Sequence, residues 1–178
     1  IPVEVSDVLV YASTDPFANS PNTGLMLDTF MLHINNITYD GRLAHLLSTR
    51  NVGGGRAYVD VLCSNSAQVA VSTSLSTNIV PLPTFSWSVE CVTHEMGHNM
   101  GSRHTHACVW NGNNTAIDGC GPAAGYNEGC NGPLPDEGTI MSYCHLVSGV
   151  GINFNLGFGP QPGDLIRSRY NNASCNTG

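Results

Sequence analysis

Residues 93–104 read THEMGHNMGSRH, and they place three histidines and a glutamate at spacings that could serve one metal ion. On a helix His94 and His98 lie one turn apart, so both imidazoles leave the same face. Glu95, beside the first of them, reaches a metal-bound water without being a ligand itself. His104 joins them only if the helix stops. Continued helix would carry it about 9 Å further along the axis and roughly 240° round from His98. The chain must therefore turn back after Met100. Gly101 supplies the residue for that turn, because glycine takes a left-handed backbone at little cost. Three histidines fill three tetrahedral corners and leave the fourth for water, the coordination of a catalytic rather than a structural zinc.

The elements that must position this set can be read around it. A helix over residues 85–100 follows the break at Pro81 and Pro83 and turns Trp87, Cys91 and Val92 to the core. Upstream, residues 3–11 (VEVSDVLVY) are rich in β-branched side chains and predict a strand. Residues 24–34 carry Leu25, Leu27, Phe30, Met31 and Ile34 near helical spacing, with His33 on the surface. A short strand is expected within 37–47, where His45 has no partner at ligand spacing and reads as structural. Strands over 56–62 and 68–75, joined closely at 63–66, suggest a hairpin. Downstream, residues 105–138 are rich in Gly, Asn and Pro and hold Cys108, Cys120 and Cys130. A structureless loop of that length is rare in a compact domain, so disulfide-held order is expected there. His106 reads as a loop-surface residue. A last helix is expected over 160–170, with Pro160 and Pro162 in its first turn.

The 178 residues fit a single domain, 1–178. With a formal net charge of −7 and only six Lys and Arg, the chain lacks the basic patch of a nucleic-acid binder. No apolar run approaches a membrane span. Seven cysteines outside C-x-x-C pairs, in a chain whose metal has histidines, imply disulfides, a secreted location and one thiol left over. Sequons stand at Asn36, Asn113 and Asn172. No signal peptide is visible, and Ile1 reads as a processed start.

The long histidine motif followed by Met141 in the turn TIMSYC resembles the metzincin clan of zinc endopeptidases, where a methionine turn lies beneath the three histidines. Within the clan, YDGRLAHLLS and GGGRAYVDVLCS resemble segments of the adamalysin (reprolysin) family. The resemblance implies an α/β (α+β) catalytic domain. Its parts would be a twisted mixed sheet with an edge strand for substrate, an active-site helix, the Met-turn and a C-terminal helix. An upper subdomain would span about 1–101 and a lower one about 102–178. It implies a zinc-dependent endopeptidase in which His94, His98 and His104 hold zinc, Glu95 is the general base, and protein or peptide is the substrate. Backbone of Gly55, Arg56, Ala57 and Tyr58 would pair with that substrate. Residues 147–153 would contribute to the pocket wall. The family's pairing implies Cys63–Cys175, with Cys120–Cys130 and Cys108–Cys144 as further pairs and Cys91 as the free thiol.

The chain departs from adamalysins at Thr105, where the family carries Asp. Its M-S-Y turn is closer to astacins and serralysins, which gives Tyr143 an auxiliary role beside zinc. Residues 105–138 match nothing in vertebrate adamalysins, so a secreted bacterial branch is expected. Residues 1–16 resemble the family's second strand, which implies that its first strand and first helix are absent. A separate N-terminal fragment or propeptide would then supply them, or Ile1 is a cut end, or the branch is shorter. Calcium is also implied, with Asp40 and Asn176 as its surviving ligands. The competing class is a catalytically silent binding module of the same fold, and after it a zinc hydrolase that does not act on peptides. An intact Glu95 disfavours the former, and the cleft-edge segment disfavours the latter.

Overall fold

The structure is a computed structural model, and it describes residues 1–175. Two helices enclose a small sheet. Helix α1 (Thr23–Ile34) starts where the Asn22 side chain accepts from the Leu25 amide, and it buries Met26, Leu27, Phe30 and Ile34. These side chains pack with Phe17, Ala44, Val69 and Val71 into the main apolar core. The sheet has the order β1–β3–β2, from β1 (Ala44–Leu47), β2 (Gly55–Ala57) and β3 (Val69–Ser72). Strand β1 runs parallel to β3, and β2 runs antiparallel to it with Arg56 opposite Val71. The central strand is buried at all four residues, as its VAVS sequence requires. The expected mixed sheet is therefore present, with β2 on an edge.

Helix α2 (Trp87–Asn99) crosses behind the sheet and buries His94, Glu95 and His98 among its residues. The Trp87 indole N–H fastens its start by donating to the Thr73 carbonyl at 3.1 Å. At its other end Asn99 donates its side-chain amide to the carbonyls of Tyr58 and Val69. Beyond α2, the long Gly-rich segment is ordered. It contains the single-turn helix α3 (Cys120–Ala123), and helix α4 (Pro160–Asn171) closes the chain with prolines in its first turn. No helix among the described residues is long and apolar enough to cross a membrane.

Several expectations need correction. Residues 3–11 form no strand, and Val3, Val5, Val8 and Val10 are exposed. Side-chain propensity cannot make a strand without a ladder partner, and no described strand pairs with this segment. A groove of about 1240 Å³ separates it from β1, from Val92 and Met96 of α2 and from Met100, which caps that helix. The strand expected at 56–62 ends at Ala57, because the chain leaves the sheet to cap α2. The amides of Asp60 and Val61 donate to the carbonyls of His98 and Asn99, and Asp60 takes φ +61 to do so.

Two of the disulfides are also exchanged. Cys63–Cys175 forms, and Cys91 is the buried free thiol, but the remaining pairs are Cys108–Cys130 and Cys120–Cys144. Helix α3 packs on the short turn Cys144–Leu146, which brings Cys120 to Cys144 and leaves Cys108 beside Cys130.

Candidate metal centre

Helix α2 delivers His94 and His98 on one buried face. Gly101 then takes φ +98, and the Ser102 amide returns to the Gly97 carbonyl, so the helix stops and the chain doubles back. His104 arrives across from the helix, with its ring centroid 4.6 Å from that of His98 and 5.2 Å from that of His94. The turn inferred from Gly101 is thus the one the chain makes.

Each of the three imidazoles uses its Nδ1–H on an acceptor outside the cluster. His94 donates to the Ile140 carbonyl at 2.7 Å, His98 to the Ser102 carbonyl at 2.8 Å, and His104 to Glu128 Oε1 at 2.5 Å. These partners assign the proton to Nδ1 and leave every Nε2 with a lone pair. The Nε2 atoms of His98 and His104 lie 3.1 Å apart. Two lone pairs at that distance repel unless a proton or cation lies between them. Zinc bonded at about 2.0–2.1 Å puts neighbouring tetrahedral corners about 3.3 Å apart, so the set fits zinc. Burial acts in the same direction: it lowers His94 to about 4, His98 to about 3 and His104 to about 2, which keeps all three neutral and ready to ligate.

Met141 is fully buried beneath this face. Its neighbour Ile140 supplies the acceptor for His94, and its own carbonyl accepts from the Thr105 amide at 3.0 Å. The turn therefore fixes His94 and the start of the segment after His104. Gly97 lets it approach: a Cβ there would lie 2.6 Å from the Met141 sulfur.

Glu95 is 5% exposed, and its Oε2 has no hydrogen-bond partner. Desolvation raises its carboxyl to about 8, against a smaller opposing pull from Arg56. It packs on β2, whose residues Gly55, Arg56 and Ala57 form the edge beside the metal face. Tyr58 lies past the strand end, with its carbonyl taken by Asn99 and its hydroxyl donating to Asp28 at 2.7 Å. Tyr143 stands half-buried over the cluster, with its ring centroid 4.6 Å from that of His104 and its hydroxyl raised to about 12, chiefly by burial.

Some features of the site lay outside the sequence reading. His106 is fully buried, not on the loop surface, and stacks on His104 with centroids 4.9 Å apart and planes 9° from parallel. Gly121 makes room for it, since a Cβ there would lie 2.3 Å from the ring. Glu128 is 24 residues from His104, the ring it meets, and no motif spacing links the two. Phe85, His145 and Phe154 form an aromatic cluster, with Phe85 stacked on both of the others. His45 is structural, as expected, and meets the Ser72 hydroxyl at 2.8 Å. The calcium expectation gains no support. Asp40 is exposed and belongs to no group of three ligating side chains among the described residues, and Asn176 lies outside them.

No curated protein matches the chain. The sequence profile described as metallo-peptidase family M12, of reprolysin type, matches residues 1–148. That match spans most of the chain and includes all three histidines, Glu95 and Met141, so the chain belongs to metallo-peptidase family M12.

Proposed function

We propose that the chain is a secreted, zinc-dependent endopeptidase that cleaves internal peptide bonds of proteins. The observation that carries this reading is the convergence of three histidine nitrogens beside the buried Glu95 carboxyl, whose Oε2 has no hydrogen-bond partner. Zinc held by His94, His98 and His104 would supply a Lewis acid that acidifies a water and polarises the peptide carbonyl. Glu95 takes the proton of the attacking water. Its raised affinity for protons suits a base that works near neutral pH and then returns the proton to the leaving nitrogen. Tyr143 keeps its phenolic proton at that pH and serves as a donor to the carbonyl oxygen as charge develops there. The outer edge of β2 at Gly55, Arg56 and Ala57 offers backbone groups to an extended substrate, which adds as a further strand. Three disulfides suit an oxidising, extracellular setting.

The test is Glu95→Gln, which keeps the shape of the side chain and removes the base. Turnover of an unfolded protein substrate should fall at least about a hundredfold while zinc content stays at one per chain. Undiminished turnover in this variant would remove Glu95 from the mechanism. Zinc bound by a wild-type chain that cleaves neither unfolded protein nor peptides would favour a binding module.

A further inference from the structure

The three ligating histidines are not held alike. His94 and His98 donate to main-chain carbonyls, Ile140 in the Met-turn and Ser102 just after α2, and both belong to the rigid frame of the site. His104 lies beyond the end of the helix, and its Nδ1–H goes to a side-chain carboxylate, Glu128 Oε1. That carboxylate comes from a loop which nothing in the histidine motif specifies.

The loop is pinned at several points. The Cys108–Cys130 disulfide ties it to the segment that follows His104. The Cys108 sulfur lies 3.4 Å from the Glu128 carbonyl. Gly129, at φ +98, makes the turn immediately after Glu128, and its amide donates to Asn127 Oδ1. Two residues before Glu128, the Tyr126 ring meets Tyr143 edge-on at 5.1 Å. On the far side, the buried His106 ring lies parallel to His104, with its Nε2 3.5 Å from the same Glu128 oxygen. Glu128 thus sits at the edges of two stacked imidazoles, with much the shorter contact to the ligating one.

From this geometry we infer that Glu128 is the positioning residue for the third metal-ligating imidazole, so that the affinity of the centre for zinc depends on an acid 24 residues beyond the motif. The inference rests on the zinc reading above. An anionic acceptor on Nδ1–H fixes the tautomer, stops the ring from rotating about its side-chain bonds, and makes Nε2 a stronger electron-pair donor. A neutral acceptor does the first two and less of the third. His104 needs this support more than the other ligands do, because its backbone is not part of a helix.

The experiment compares wild type, Glu128→Gln and Glu128→Ala in the full chain, by competition for zinc with a chromophoric chelator and by the visible spectrum of the cobalt-substituted proteins. Thermal unfolding of the metal-free forms reports any general loss of fold. Wild type should bind one zinc. Glu128→Ala should weaken it about 10- to 100-fold and alter the cobalt bands, with metal-free unfolding unchanged. Glu128→Gln, which keeps the shape and an uncharged acceptor, should weaken it about three- to tenfold, and it carries the test alone if Glu128→Ala does not fold. One zinc bound at wild-type affinity in Glu128→Gln, and in any folded Glu128→Ala, would overturn the inference alone. A second zinc in wild type, lost in these variants while the first keeps its affinity, would also overturn it, since Glu128 would then be a ligand beside His106. A wild-type chain that binds no zinc would overturn the zinc reading and this inference together.

Discussion

Gly55 and Glu95 are in such close contact that the strand has no room for a side chain: a Cβ on Gly55 would lie 2.3 Å from Glu95 Oε1. The edge strand and the Glu95 carboxyl are therefore coupled through one glycine. Its role is close approach, not a special backbone angle. Gly55 also pairs with Ser72 on β3, so the strand cannot simply retreat.

Replacing Gly55 with alanine should therefore push the Glu95 carboxyl off its seat while leaving the three histidines in place. The expected result is a loss of kcat of at least about tenfold, since small misplacements of a reacting group are costly, with zinc affinity within about twofold of wild type. Steady-state kinetics on a peptide substrate, paired with a zinc titration, checks both halves. Normal kcat in Gly55→Ala would show that Glu95 does not work from this position.

Gly97 makes the matching contact on the other side of α2, against the Met141 sulfur and the Phe158 ring. Gly97→Ala overpacks the floor of the site, and it should cost about 1–3 kcal/mol of stability. For a chain of this size that is a fall in Tm of about 2–4 °C per kcal/mol, measurable by calorimetry. A variant as stable as wild type would mean that the Met-turn shifts freely beneath the helix.

His45 provides a pH test away from the metal. Its ring lies on β1 against Ser72, and burial lowers its pKa to about 4 from 6.5. The folded form thus holds His45 neutral, while the unfolded chain takes up a proton below 6.5. Its contribution to stability is fully present above 6.5 and is lost as pH falls from there to about 4. Between pH 7 and pH 4 wild type should lose about 2 kcal/mol more than His45→Gln, a figure reduced from the full shift because the ring keeps some exposure. Equal losses in urea melts of the two proteins would remove His45 as a source of acid sensitivity.

The parts of the site that could be read in advance are those set by spacing along one element. His94, Glu95 and His98 share a helical face, Gly101 is the only residue that ends that face cheaply, and Met141 sits in a short apolar turn. Cys63–Cys175 and the free Cys91 followed from resemblance rather than from spacing. What escaped depends on contacts between distant segments. Residues 3–11 have strand composition but no ladder partner, and composition does not report partners. Cys120 and Cys144 meet because α3 packs on the turn after Met141, a tertiary fact that chain order does not encode. His106 is buried because Gly121 leaves it a slot, and Glu128 reaches His104 because Cys130 is tied to Cys108. The histidine motif is a local signal, and the support of its third member is not.

The most direct test of the account is cleavage of a proteome-derived peptide mixture, read by mass spectrometry, with and without a zinc chelator. Internal cuts are expected that the chelator abolishes and that added zinc restores. Cuts that persist at full rate once the zinc is stripped, or no cuts from a folded chain with one zinc bound, would contradict it.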